Sequence, residues 1–231
     1  MAFWDKSALE VLSTKETVHL INSVTGIKPG NLISTCNDSG QSNLAVFSSV
    51  VHLGSQPPLL SFVLRPSDGF DRHTYENIKQ TGRYNINAIH QDWLDKAHMT
   101  SVKFARDVSE FNEVGLIEEY KSDWAVPFVE GAPIQLGLVF REEIDIKLNK
   151  TKLIIGEIDR VYIHDHGVAE DGRLDLSVLN MTGIAGLNGY YKLDRKAEFS
   201  QPAIGKWPEN LLAEPNDSLD NHAFNQTSVK S

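Results

Sequence analysis

The chain is poor in cysteine, in positive charge and in long apolar runs, and each shortage narrows what it can do. Cys36 is the only cysteine among 231 residues, so no intrachain disulfide forms and a structural zinc site needing two cysteines of this chain is ruled out. A reducing compartment, the cytoplasm, is the expected location. Lysine and arginine number 22 against 31 aspartates and glutamates, a formal net charge of −9. That balance speaks against nucleic-acid binding, which needs a cationic surplus, but not against a small phosphate-bearing ligand held by two or three local donors. No stretch nears the ~20 apolar residues of a membrane span, and Met1-Ala-Phe-Trp-Asp-Lys6 lacks the basic segment and apolar core of a secretory leader. Familiar motifs are missing too. No Gly-x-Gly-x-x-Gly turn leads from a strand into a helix, no Walker loop is present, and no Gly-x-Ser-x-Gly elbow presents a nucleophile. A nicotinamide, if used, has to bind without the Rossmann fingerprint.

What remains is ordinary core material, 41% hydrophobic and 23% charged, arranged mostly in strand patterns. Ser13-Thr-Lys-Glu16 has capping-box spacing ahead of Val18, Ile21 and Val24, predicting a helix over 14–23. Asn31–Cys36 reads as a strand, Asn37–Gly40 as a turn, and Asn43–Leu53 as the returning strand. Cys36 belongs to the first of these as a small buried hydrophobe, since no neighbouring base activates it. Pro57-Pro58 opens an apolar run to Leu64, Ser67–Gly69 forms a turn, and Thr74 caps a helix ending at Gly82. Tyr84–Ile89 alternates as a strand, and Asp92–Ser101 and Ser109–Gly115 read as helical. Ile134–Phe140 and Lys152–Ile163 form a hairpin through Asn149-Lys-Thr151. From about Arg195 the prolines and the Asn, Asp and Ser residues mark a tail, so the chain divides into residues 1–195 and an extended, partly disordered 196–231.

Two stretches carry candidate chemistry. Between Ser39 and Val63, short hydroxylic residues alternate with apolar ones, which is compatible with plain strands or with a wall whose main chain lies open to a ligand. Arg72-His73-Thr74 stands at a helix start with Arg65 nearby, a set of donors suited to phosphate or equally a solvated, capped surface helix. His164-Asp-His166 admits a metal reading, but no further ligand clusters with it and a solvated loop serves as well. The pairs Glu118-Glu119 and Glu142-Glu143 lie on strands, where adjacent side chains point to opposite faces, so no shared acid–base site is expected.

Taken in order, Ser-Asn-Leu-Ala-Val-Phe-Ser-Ser (42–49), Pro57-Pro58-Leu59, Arg72-His-Thr-Tyr-Glu-Asn-Ile78, Gly82-Arg-Tyr-Asn-Ile-Asn87, Thr100-Ser101, Glu110-Phe111, Ile155-Gly-Glu-Ile158 and the Gly186–Tyr191 segment resemble the flavin reductase-like family of FMN-binding split barrels over residues 17–195. The resemblance implies a mainly β fold, a Greek-key antiparallel split barrel flanked by a few short helices, assembled as a homodimer with FMN near the interface and Tyr190 and Tyr191 in that interface. It implies that Asn43, Leu44, Ala45 and Phe47 line the isoalloxazine, largely through backbone groups. Ser48, Ser49, Arg72 and Thr74 would hold the phosphate, with Arg65 a weaker candidate. The family often has Lys-Asp-Thr where this chain has Arg72-His73-Thr74, so the charge is kept and His73 replaces a carboxylate as a further donor or an idle cap. No catalytic side chain is implied. NAD(P)H would pass hydride directly to the flavin, or a partner redox protein would supply the electrons. His98 is expected to be structural.

Overall fold

The computed structural model describes residues 1–66, 69 and 71–212. Backbone contacts divide the chain into a unit over Met1–Leu193 and a second over Asp194–Ser231. The Ser67–Gly69 turn and the expected disorder at the end of the tail fall largely outside the described residues. Within the second unit, isolated bridges join Phe199 to Asn210 and Ala203 to Lys206.

The first unit begins with helices α1 (Lys6–Glu10) and α2 (Thr14–Ser23). The predicted capping box is present: Ser13 Oγ accepts the Glu16 N–H at 3.3 Å and the Glu16 carboxylate accepts the Ser13 N–H at 2.9 Å. The strands that follow are β1 (Lys28–Pro29), β2 (Asn31–Cys36), β3 (Ser42–Phe47), β4 (Val51–Ser55) and β5 (Pro58–Leu64). Helix α3 (His73–Thr81) leads to β6 (Arg83–Ala88), then α4 (Leu94–Met99) and α5 (Glu110–Val114). Short strands β7 (Glu118–Glu119) and β8 (Phe128–Val129) precede the long pair β9 (Ile134–Ile146) and β10 (Thr151–Ile163). The hairpin β11 (Thr182–Ala185) and β12 (Gly189–Lys192) ends the unit.

Seven strands form one antiparallel sheet in the order β3-β2-β6-β9-β10-β5-β4, and β1-β11-β12 form a second sheet. Strands β3 and β4 are neighbours in sequence but lie on opposite edges of the large sheet. The sheet curls to bring them together: Phe47 of β3 meets Phe62 of β5 edge to face at 5.0 Å, although four strands separate the two in the sheet. Alternation along β2 explains why both its faces are buried. Ile33 points into a core with Phe62, Ile78, Tyr84, Leu138 and Ile154, whereas Leu32 packs outward with Leu44, Ile89, Ala97 and Phe111. Trp93 and Leu94 pack against this outer cluster. Gly156 sits at a register shift between β9 and β10, and the Tyr84 phenol fills the space a side chain would need: a Cβ there would lie 2.2 Å from the Tyr84 hydroxyl oxygen.

The structure corrects two expectations. The single returning strand over 43–53 is broken at Ser48–Val50 into β3 and β4. The reason lies in Ser49, whose hydroxyl donates to the Val63 carbonyl at 3.3 Å and accepts the Val63 N–H at 3.1 Å. Backbone pairing resumes at Val51–Ser61, so at Ser49 a side chain replaces the main chain in the ladder and the strand bends away. The helix start also differs. Arg72, not Thr74, holds the cap position of α3, and Gly82 closes the helix with φ +68° as predicted. Among the described residues no helix is long and apolar enough to cross a membrane.

Candidate functional site

A cavity of about 890 Å³ opens between the two sheets, walled by β3, the start of α3, the 100–106 loop and the turn after β11. Asn43, Ala45 and Phe47, alternate residues of β3, line it, followed by Ser48 and Ser49 at the strand break. Arg65 enters from the end of β5, and Arg72, His73 and Thr74 from the start of α3. Nine of the ten residues singled out in the sequence therefore meet around one cavity. The tenth, Leu44, points away: it is fully buried in the outer core, and its N–H donates to Glu110 Oε2 at 2.9 Å. Strand alternation alone places it on the face opposite its two neighbours.

The polar groups are held from behind. Asn43 Nδ2 donates to Thr74 Oγ1 at 3.1 Å, joining β3 to α3, and Asn77 Nδ2 donates to Thr35 Oγ1 at 3.1 Å one turn further along. Thr74 thus anchors the wall instead of capping the helix. Arg72 lies half-buried with its Nη2 donating to the Pro66 carbonyl. Among the described residues its buried Nε has no hydrogen-bond partner, an arrangement that is unfavourable unless something else accepts its hydrogen. At Ser49 the hydroxyl is committed to β5, which leaves the main chain of that residue outside the ladder.

Other cavity residues were not among the ten candidates. All of 100–106 line the wall, contributing Lys103, Phe104 and Arg106, with Arg106 ion-paired to Glu76. Glu110 is 4% exposed and faces the cavity; burial pushes its carboxyl above the usual range, opposed by the Leu44 N–H and the nearby His73. His98 also lines the cavity, and its Nδ1 lies 3.1 Å from the Tyr190 hydroxyl, whose own acidity burial weakens to a pKa of about 12. On the side of the three-stranded sheet stand Asn22, Lys28, Ile184, Leu187 and Asn188. Among the described residues five lysines and arginines line the cavity against two acids, Asp71 and Glu110, the reverse of the balance in the chain. Nothing local in the sequence marks these groups, because they come from segments far apart that only the fold assembles.

The remaining motifs lie elsewhere. Glu118 accepts from Ser42 and from Tyr120, while Glu119 accepts from Lys121 at 2.6 Å and Gln135 at 2.8 Å, so the adjacent carboxylates part company. His164 and His166 flank Asp165 at a single 3-10 turn with ring centres 5.6 Å apart. Among the described residues no three His, Cys, Asp or Glu side chains cluster in a way that would hold a metal ion. Cys36 is buried, its thiol pushed up to about 11 by desolvation and then by Glu118, which suits a structural residue.

Comparison with known proteins agrees with this geometry. A protein from Shewanella frigidimarina assigned as a flavin reductase with a split barrel domain is 39% identical, with a TM-score of 0.84, covering 87% of this chain and all (100%) of that one. Nitrilotriacetate monooxygenase component B from Bacillus cereus shares the fold at 19% identity and a TM-score of 0.76, covering 86% of this chain and 98% of its own. An FMN-binding protein from Thermus thermophilus does so at 17% identity and 0.60, covering 72% and 86%. The fold is therefore the mainly β split barrel that the resemblance implied. Residues 26–179 match the model of the flavin reductase like domain, and the protein belongs to that family of flavin-binding oxidoreductases.

Proposed function

We propose that the cavity holds FMN and that the protein is an NAD(P)H-dependent flavin reductase. The observation that carries this reading is the buried Arg72 Nε, without a partner among the described residues, on the same cavity as the hydroxyls and main chain at the break between β3 and β4. These donors fit a phosphate. Arg72 offers a charged planar fork, with His73 and Arg65 adding to it. Ser48 supplies a hydroxyl, and Ser49 contributes through its main chain while its hydroxyl holds β5. Thr74 keeps Asn43 in place, and Asn43 and Ala45 present the flat, short-chained strand against which a ring system can lie.

When bound, FMN supplies the ring that accepts hydride from NADH or NADPH, so no acid, base or nucleophile of the chain is needed for that transfer. The protein's part is to position, to exclude water and to neutralise charge. Main-chain donors of the 43–49 stretch would support the ring edge where negative charge develops on reduction. The Leu44 N–H is not among them, since Glu110 takes it.

A homodimer belongs to the same reading. Ile21, Val24 and Ile27 are 48%, 66% and 51% exposed on and after α2, and Tyr191 is 46% exposed on β12, apolar area that a second copy would cover. A cytoplasmic location, where Cys36 stays reduced, completes it.

The test is a titration of apoprotein with FMN followed by anaerobic addition of each dinucleotide. Arg72→Ala should weaken FMN by about 1.5–3 kcal/mol, the range for hydrogen bonds to charged groups, and Thr74→Ala, which releases Asn43, by about 0.5–1.5 kcal/mol, the range for a neutral one. Wild type should bleach with NADH or NADPH. Tight FMN with no bleaching by either dinucleotide would replace the reductase with an electron carrier fed by another protein, and no flavin affinity in wild type would remove the cofactor reading.

A further inference from the structure

The phosphate seat uses the wall formed by β3, β5 and α3, yet the opposite wall carries its own cation. Lys28 lies in β1, paired with Ile184 of β11, half-buried and facing the cavity. Its ammonium donates to the Asn22 carbonyl at 2.8 Å, near the C-terminus of α2. That bond satisfies the helix end and uses one of three N–H donors. Among the described residues no carboxylate pairs with Lys28. The two acids of the cavity, Asp71 and Glu110, belong to the segments before α3 and in α5, not to this wall. Asn22 and Asn188 line the same cavity, Asn22 Nδ2 giving one hydrogen to the Val18 carbonyl at 2.7 Å, and His98 Nδ1 lies 3.1 Å from the Tyr190 hydroxyl. A half-buried ammonium with donors to spare, on a wall whose other polar groups are neutral amides, is the composition of an anion subsite.

The cavity is large enough for this subsite to serve a second ligand. At about 890 Å³ it lies near the top of the ~300–1,000 Å³ span of small-molecule sites. The single phosphate of FMN is already matched by Arg72 and its neighbours. Resting on the reductase reading above, we propose that Lys28, with Asn22 and Asn188, binds the pyrophosphate of the nicotinamide dinucleotide on the wall across from the FMN phosphate seat. Lys28 is a binding residue for the electron donor and takes no part in the hydride transfer.

Inorganic pyrophosphate is the probe, titrated by calorimetry into FMN-loaded wild type, Lys28→Met, Lys28→Arg and Asn188→Asp. Loss of a charge-assisted hydrogen bond should weaken pyrophosphate about tenfold or more in Lys28→Met, with Lys28→Arg restoring most of it. Asn188→Asp keeps the Lys28 bond to α2 but puts a carboxylate on the same wall of the cavity, and it should produce a similar loss even if Lys28→Met melts early. FMN affinity should stay within about twofold in all of them, since none of these residues belongs to the phosphate seat. The subsite is overturned if wild type binds no pyrophosphate, or if Asn188→Asp and a folded Lys28→Met both bind it as wild type does. Reduction by NADH and NADPH is scored separately. Pyrophosphate binding that depends on Lys28 in a protein that neither dinucleotide reduces removes the donor reading and leaves the anion subsite standing.

Discussion

Replacing Gly156 with alanine tests how tightly the barrel interior is packed. The new Cβ would lie 2.2 Å from the Tyr84 hydroxyl oxygen, 2.9 Å from Cζ and 3.0 Å from Cε1. Tyr84 is fully buried, with Phe62 edge-on at 5.7 Å, so the ring has no free space to retreat into. Overpacking of this kind costs about 1–3 kcal/mol, offset by roughly 0.5–1 kcal/mol from removing the conformational freedom of glycine. The net loss is about 0.5–2 kcal/mol, and at about 2–4 °C per kcal/mol for a unit of this length the midpoint should fall by roughly 1–8 °C. Tyr84→Phe removes the nearest atom. The hydroxyl has no partner among the described residues and burial alone holds the phenol well above its ordinary pKa, so the single substitution should be neutral or stabilising by up to about 1 kcal/mol. The double variant should recover part of the alanine penalty, a coupling of at least about 0.5 kcal/mol, but not all of it, because the ring carbons remain close. Urea unfolding of the four proteins gives the cycle. An unchanged midpoint in Gly156→Ala, or a loss above about 1.5 kcal/mol in Tyr84→Phe, refutes the packing argument; the second result would mean that the phenol has a hydrogen-bond partner.

Ser49→Ala leaves both the N–H and the carbonyl of Val63 without the hydroxyl they share, and thermal melts should show a loss of about 1–3 kcal/mol even in apoprotein. Glu110→Gln should flatten the pH dependence of stability. A carboxyl whose pKa is raised in the folded state makes the unfolded state the weaker proton binder, so its stabilising effect is present below the ordinary carboxylate pKa and is lost as pH rises through the folded value. The difference between wild type and Glu110→Gln in denaturant unfolding should therefore grow in favour of the variant with rising pH, and a constant difference would contradict the burial effect. Lys152→Met, which removes partly exposed ion pairs to Glu143 and Asp145, should change stability by no more than about 1 kcal/mol in the same assay.

Features written in local pattern were legible in the sequence. The capping box of α2, the six residues of β2, the β9–β10 hairpin and the glycine that ends α3 all follow from spacing within a few residues. So did the grouping of most candidate residues around one cavity, because Arg72, His73 and Thr74 are contiguous and Asn43, Ala45 and Phe47 alternate. The misplacements have physical causes of another kind. The break between β3 and β4 depends on Ser49 finding Val63, fourteen residues on, and no turn residue announces it. Thr74 has the chemistry of a cap, but a better-placed amide, Asn43, claims its oxygen. Leu44 belongs to the right segment and the wrong face. Lys28, His98 and Asn188 come from three distant segments, and nothing local in the sequence ties any of them to a cavity.

The cavity's basic lining inside an acidic molecule has a kinetic consequence. A dianion approaching from far away meets a body of net charge −9, and only within a Debye length of the mouth does it sense the lysines and arginines of the wall. At ~0.01 M salt that length is about 30 Å and repulsion governs the approach, whereas near 0.15 M it is about 8 Å and the local cations govern it. Capture of phosphate-bearing ligands should consequently speed up as salt rises from low to physiological strength, the opposite of ordinary electrostatic steering.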